Sequence, residues 1–539
     1  MRRGVYFDGW FPGQHNYHPS LPARRLRMVD ELVDMHATTL VWAALGGGSV
    51  SLPYLEEEAH GAVPDRFRIH GFVNDAAFIR ACARRGIEVF GVVFEAQGWE
   101  FPTEVDDDGA VNAVNELPGE GRRGWMGLRE FSEGCGPAGW SSLTAYFPDG
   151  LANGRGEPVT DLWNQACCVD LDGVPLHATW VEAPDRAHEC HYMDRNNPAW
   201  RDYLKAVIRL QIDAGVAGVQ LDESETPFGA LVYGGCFCSD CADQFRDWLA
   251  ALAPDDRPAE LAGVDLGRFD YPQYLRGHGV PARTPAKDLP LGEAYIRFSL
   301  QAFQRSFGEI ADYIAEYGRS VGRQVLRAGN FYNANPEYAP LVSHVDVMVT
   351  EMRHTMDAQP WWFRHVEGFA HGRDVLVAEN PYGGVVPALA AELDRGRGHD
   401  RLRTSLYEGA AMGPSMTFPY GSWLGAEIQD AFWAPRYLLA EVGGFLAATD
   451  HLRGHRSRHE VVVLFPAADA FEADLAGARW ANNVKTASFG PSAQRLPYWA
   501  AIEALAWAPT GFDVLVLPAP DDGLSPFAAG SLAPYRTVV

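Results

Sequence analysis

The stretch NPAWRDYLKAVIRLQIDAGVAGVQLDE, residues 197–223, decides the architecture. Asn197 suits the cap of a helix and Pro198 its first turn, and Trp200, Tyr203, Leu204, Val207, Ile208 and Ile212 then recur at helical spacing. Gly215 closes the helix. The short apolar run Ala217–Leu221 follows and delivers two acidic residues, Asp222 and Glu223. The same phrase of helix, glycine and strand recurs upstream. Asp75–Arg85 places Phe78, Ile79 and Cys82 on one face, ends at Gly86 and leads into Glu88–Phe94. Working outward gives eight runs: Gly4–Phe7, Thr39–Ala44, Glu88–Phe94, Ala217–Leu221, Gln324–Ala328, Val345–Thr350, Asp374–Ala378 and Gly413–Pro419. Most are almost continuously apolar, as strands covered on both faces should be. Their alternation with helices predicts a (β/α)8 TIM barrel of the α/β class.

Two stretches break the rhythm. Residues 95–196 are rich in Gly, Asp, Glu and Trp and far exceed an ordinary loop, so a long β3–β4 insertion over the barrel mouth is expected. After the barrel, Glu460–Phe465, Phe512–Leu517 and Tyr535–Val539 read as further strands. The chain of 539 residues thus divides into a barrel over 1–450 and a smaller C-terminal α/β domain over 455–539. That second domain looks flavodoxin- or amidotransferase-like, and incomplete.

The formal charge of −25 argues against phosphate backbones and anionic lipid, so neither nucleic acid nor membrane is an expected partner. The N-terminal Met1–Asp8 stretch lacks a signal-peptide apolar run, and no stretch of about 18 apolar residues occurs, so a cytoplasmic protein is expected. Eight cysteines in so long a chain read as reduced thiols rather than a secreted disulfide framework.

In such a barrel the reactive groups lie at the C-terminal ends of the strands. That rule selects Asp8, Asp222, Glu223 (with Glu225 nearby), Asn330, Glu351 and Glu379. Several carboxylates around one opening suit glycosidic cleavage, in which one acid protonates the leaving oxygen and a carboxylate attacks the anomeric carbon or activates water. Asp8, Asn330 and Glu351 are then expected to bind sugar hydroxyls. Trp42 and Trp423 are expected to offer ring faces to the sugar, with Trp99, Trp361 and Trp362 as further candidates. Cys236, Cys238 and Cys241 suit a structural zinc, the fourth ligand coming from Cys135, Cys167, Cys168, Cys190 or His191.

The run Gly218–Glu225, the cluster Gly235-Cys236-Phe237-Cys238-Ser239-Asp240-Cys241 and the following Phe245, Trp248 and Leu249 resemble glycoside hydrolase family 42 β-galactosidases. Val375–Asn380 resembles the seventh strand of that family, and Tyr407–Trp423 its eighth region. The resemblance implies Glu223 as acid/base, Glu379 as nucleophile, retention of configuration, no organic cofactor, and a trimerisation-like domain with a homotrimer. Where the family has Asn before its acid/base Glu, this chain has Asp222. That places a second carboxylate there and offers an alternative nucleophile, as in the α-galactosidase and α-fucosidase barrels, whose fourth strands end in such an Asp. Two rival readings stand beside the glycosidase: a metal-dependent hydrolase or lyase using Asp222, Glu351 and Glu379 as ligands, and a non-catalytic sugar-binding protein.

Overall fold

The computed structural model describes residues 1–7, 10–11, 16–17, 24–42, 51–63, 65–105, 122–134, 140–176, 190–222, 228–351, 359–378, 389, 392–393, 395–419, 434–452, 457–477, 497–508, 510–517 and 531–539. Eight parallel strands form one sheet: β1 Gly4–Phe7, β2 Thr39–Trp42, β3 Glu88–Phe94, β4 Gly218–Asp222, β5 Leu326–Asn330, β6 Val347–Glu351, β7 Asp374–Ala378 and β8, whose halves are Ser415–Met416 and Phe418–Pro419. The first half of β8 pairs with β7 and the second half with β1, so the sheet closes on itself. The expected TIM barrel is therefore the observed fold.

Side-chain alternation along the strands sorts the barrel into two layers. Tyr6, Val41, Phe90, Val92, Ala328, Val347, Val349, Leu376 and Ala378 form the interior cluster. Their neighbours Val5, Leu40, Trp42, Val89, Val93, Val219, Leu221, Met348, Val375 and Val377 face the helices. Those helices include α1 Leu26–Asp34, α2 Leu52–His60, α3 Asp75–Arg84, α4 Pro198–Ala214, α5 Ser239–Ala251, α6 Gly292–Ser320, α7 Pro360–Phe369, α8 His399–Met412 and α9 Arg436–Ala448. The deciding stretch folds as its residues dictate: the Asn197 side chain accepts from Ala199 N, Pro198 opens α4, and Gly215 ends it at φ 112°.

The fifth and sixth strands begin two residues later than their apolar runs suggest, at Leu326 and Val347. The Leu326 amide is the first to bond across, to Ala217 O, while Val325 before it packs beside Gly318 of α6. Between β5 and β6 a 3-10 segment, Pro336–His344, stands where an α-helix is usual, with Pro340 inside it. The long excursion from β4 to β5 has its own aromatic core of Phe245, Tyr271, Tyr295 and Phe298. Sequence reading did not single this out.

Within residues 95–196 the described segments form local structure. The segments Gln97–Val105, Arg122–Gly127 and Cys190–Tyr192 make a three-stranded sheet, and Leu151–Ala152 pairs with Pro158–Val159 in a hairpin. Beyond the barrel, β9 Val461–Pro466, β10 Phe512–Leu517 and β11 Thr537–Val538 form a small parallel sheet in the order β10-β9-β11. It packs on α7, where Gly368 approaches the Val514 backbone and His365 Nδ1 bonds Tyr498 Oη at 2.8 Å. Among the described residues, no helix is long and apolar enough to cross a membrane.

Candidate active site

Three strand ends meet where the sequence places them. Asp222 closes β4, Asn330 closes β5 and Glu351 closes β6. The Asn330 amide nitrogen lies 2.8 Å from Asp222 Oδ1 and 3.3 Å from Glu351 Oε1, and so donates to both carboxylates. Because both oxygens lie that close to one nitrogen, they are at most about 6 Å apart. From the layer beneath, Tyr6 Oη donates to Asp222 Oδ2 at 3.1 Å, and Gln220 Nε2 donates to Tyr6 Oη at 2.9 Å.

Asn330 and Tyr6 both donate to the Asp222 carboxylate. Donors favour the charged form of a carboxyl group. Asn330 Oδ1 and Gln220 Oε1 are buried acceptors without a partner among the described residues, the kind of group that a ligand hydroxyl or water satisfies. On the neighbouring element, Glu95 follows β3, donates its backbone N–H to Asp222 O at 2.9 Å, and pairs with Arg195 at 2.6 Å.

Of the remaining expected site residues, Asp8, Glu223, Glu379 and Trp423 lie outside the described residues. Trp42 is a correction. It is fully buried in the layer between strands and helices, packed on Phe78 at 5.2 Å between ring centroids, with Arg24 over its face. A sugar platform must be reachable, and Trp42 takes the outward register of β2 while Val41 takes the inward one. Trp362 is buried in the same layer, Trp99 is buried on the insertion strand beside Phe94, and Trp361 is nearly buried.

Beside Trp42 lies an ion cluster that sequence reading missed. Arg24 pairs with Glu58 and Asp75, all three buried. Burial pushes both carboxyls up, and the guanidinium opposes it.

The three cysteines of the loop after β4 come together, and Asp194 joins them. One ligand atom from each of Asp194, Cys236, Cys238 and Cys241 lies within 4.8 Å of the others. Cys238 Sγ is 2.9 Å from Asp194 Oδ2. Of the expected fourth ligands, Cys168 hydrogen-bonds Cys236, His191 instead stacks on Trp163, and Cys135 lies outside the described residues. Asp194 is neither Cys nor His, the residue types from which a fourth zinc ligand is expected in sequence. Burial opposes ionisation of Cys236, yet hydrogen bonds from Cys168, Cys238 and Cys241 outweigh it and hold that thiol well below its ordinary value. Burial, then the Cys236 charge, pushes Asp194 up to about 7. Three sulfurs and one carboxylate oxygen in this space match the tetrahedral donor set of a structural zinc.

The insertion hairpin is moored beside this cluster. Gly154 N donates to Asp240 Oδ1 at 2.6 Å, and Arg155 pairs with Asp243 at 2.6 Å, both on the first turns of α5.

No protein-family description matches the sequence. Over an alignment of 136 residues that covers 23% of this chain, the identity to the α-agarase of Thalassotalea agarivorans is 26%, and over one of 235 residues that covers 40% of this chain, the identity to that of Alteromonas agarilytica is 22%. These matches span only 9% and 15% of the two relatives' lengths. Among solved structures, the β-galactosidase of the Antarctic haloarchaeon Halorubrum lacusprofundi aligns with 100% of this chain and 68% of its own, with a TM-score of 0.55 and 17% identity. The likeness is one of fold, as expected from the β4 and cysteine motifs, and its alignment spans this chain.

Proposed function

We propose that this chain is a glycoside hydrolase that cleaves a glycosidic bond by a retaining, two-carboxylate mechanism. The observation that carries the reading is the Asp222–Asn330–Glu351 cradle at the strand ends of a β-galactosidase-like barrel. In this mechanism Glu223 protonates the leaving oxygen while Glu379 attacks the anomeric carbon. Water, deprotonated by Glu223, then releases the sugar with its configuration retained. Asp222 is the alternative nucleophile, and otherwise, with Glu351, an acceptor for sugar hydroxyls. Asn330 orients both, and its Oδ1 accepts from the sugar. Asp8 and Trp423 complete the hydroxyl contacts and the ring platform.

The substrate class is a neutral galactoside or agar-type oligosaccharide, supported by the names of the similar proteins and by the net charge of −25. The protein is proposed to act in the cytoplasm as a homo-oligomer, a trimer by resemblance, which light scattering would size.

The test is a screen of α- and β-galactosides and agar oligosaccharides, with the first-formed anomer read by proton NMR. Retention is the expected outcome. Absence of turnover on every glycoside would refute the reading, and an inverted product would refute the mechanism.

Zinc is proposed to cross-link Asp194, Cys236, Cys238 and Cys241, and its contribution is structural. The purified protein is expected to carry about one zinc per chain, and Cys238→Ser to lose both metal and melting temperature. Metal analysis finding none, with stability insensitive to chelators, would refute it.

A further inference from the structure

Among the described residues, Asp222 is held by one side chain at the rim of the barrel and by another beneath it. Asn330 sits beside it at the end of β5, and donates to Oδ1 at 2.8 Å. Tyr6 stands one layer deeper, on β1, and donates to Oδ2 at 3.1 Å. Behind Tyr6, Gln220 Nε2 donates to the phenol oxygen at 2.9 Å. A phenol has one proton to give. With Gln220 donating to its oxygen, that proton is directed to Asp222, and the donation polarises it further. Tyr6 and Gln220 are both buried, at 5% and 0% exposure, so water does not compete readily for either bond. Alternation explains the geometry: Gln220 and Asp222 are two apart on β4 and share the inward face, opposite the inward-facing Tyr6.

We infer that Tyr6, braced by Gln220, is a positioning residue that fixes both the orientation and the negative charge of Asp222. The inference deepens the glycosidase reading and rests on it for its consequence in turnover, but the hold on Asp222 is measurable without turnover. Among the described residues, the charged and titratable groups near Asp222 include Glu351, reached through Asn330, and Glu95, which bonds the Asp222 backbone and is itself paired with Arg195. The Glu351 carboxylate pushes Asp222 toward protonation, and Tyr6 and Asn330 oppose it. An Asp222 kept anionic leaves the transferable proton to a neighbour.

The test is Tyr6→Phe, which keeps the ring and removes the hydroxyl. The primary readout is the titration of the Asp222 carboxyl carbon, followed by NMR in protein labelled with carbon-13 at aspartate carboxyls and assigned by its disappearance in Asp222→Asn. The Asp222 midpoint is expected to rise by about one pH unit, a tenfold change in its acid dissociation constant. The acid limb of kcat/KM against pH is expected to move upward in parallel. Gln220→Met, which removes only the brace, is expected to give a smaller shift in the same direction, and it serves if Tyr6→Phe does not fold. An Asp222 midpoint unmoved in a folded variant overturns the inference, even if kcat/KM falls uniformly at all pH values. A wild type inactive on every glycoside, with the Asp222 midpoint displaced as expected, would instead count against the enzymatic reading alone.

Discussion

Asp222→Asn is expected to lower kcat/KM at least a hundredfold while leaving the melting temperature unchanged or slightly raised. The substitution keeps the shape of the side chain but gives it one acceptor and one donor where there were two acceptors. Tyr6 Oη and the Asn330 amide both present hydrogens to it, so one of them must face another donor. The lost bonds to a charged group are worth about 1.5–3 kcal/mol each. Against that loss stands relief of repulsion between Asp222 and Glu351. At a separation of no more than about 6 Å and an effective dielectric constant of about 20, two unit charges repel by about 3 kcal/mol. The two contributions are of similar size, so the folded state should scarcely register the change. Catalysis has no such compensation, because the charge that binds the reacting sugar has gone, and a hundredfold loss corresponds to only about 2.7 kcal/mol. Steady-state kinetics alongside thermal unfolding would check it. A variant within threefold of wild-type kcat/KM would remove Asp222 from the reaction.

The second large effect falls on stability. Arg24→Met is expected to destabilise the protein by about 3–5 kcal/mol at pH 8, because it leaves Glu58 and Asp75 buried without their cation. The pH dependence follows from the direction of the shifts. Both carboxyls already sit above their ordinary values in the folded chain, chiefly through burial, and removing Arg24 raises them further. A group that holds its proton more tightly when folded loses stabilising weight as pH rises from the ordinary carboxylate range through its folded value. The variant should therefore be nearest to wild type at about pH 5 and progressively worse toward pH 8. Denaturant midpoints across that range would decide, and a deficit constant with pH would show that the cluster does not titrate as its burial demands.

The βα alternation was legible because strands covered on both faces must be apolar and helices must end somewhere, and Gly215 and Gly86 mark such ends. Asp222, Asn330 and Glu351 were legible because strand ends in a barrel converge. Depth and register were not. Trp42 is the last described residue of β2, yet its parity turns it outward, and no reading by strand ends alone distinguishes it from an inward residue. Tyr6 and Gln220 were missed for the converse reason, since they lie a layer below the rim and reveal themselves only when strands distant in sequence are laid side by side. Asp194 is separated from the cysteine loop by α4 and β4, and only folding makes it their neighbour. The β4–β5 excursion hid its own core because aromatic residues at helical spacing say that a helix is buried, not against what.

The split eighth strand has a consequence for how the barrel breathes. Ser415 and Met416 turn to β7, Phe418 and Pro419 turn to β1, and Pro419, opposite Tyr6, brings no N–H to the ladder. Among the described residues, each half of β8 meets its neighbour at two positions, fewer than any other pair in the ring. Fluctuations that part the strands should begin at β8 and, on its Pro419 side, loosen β1, which carries the phenol on which Asp222 leans.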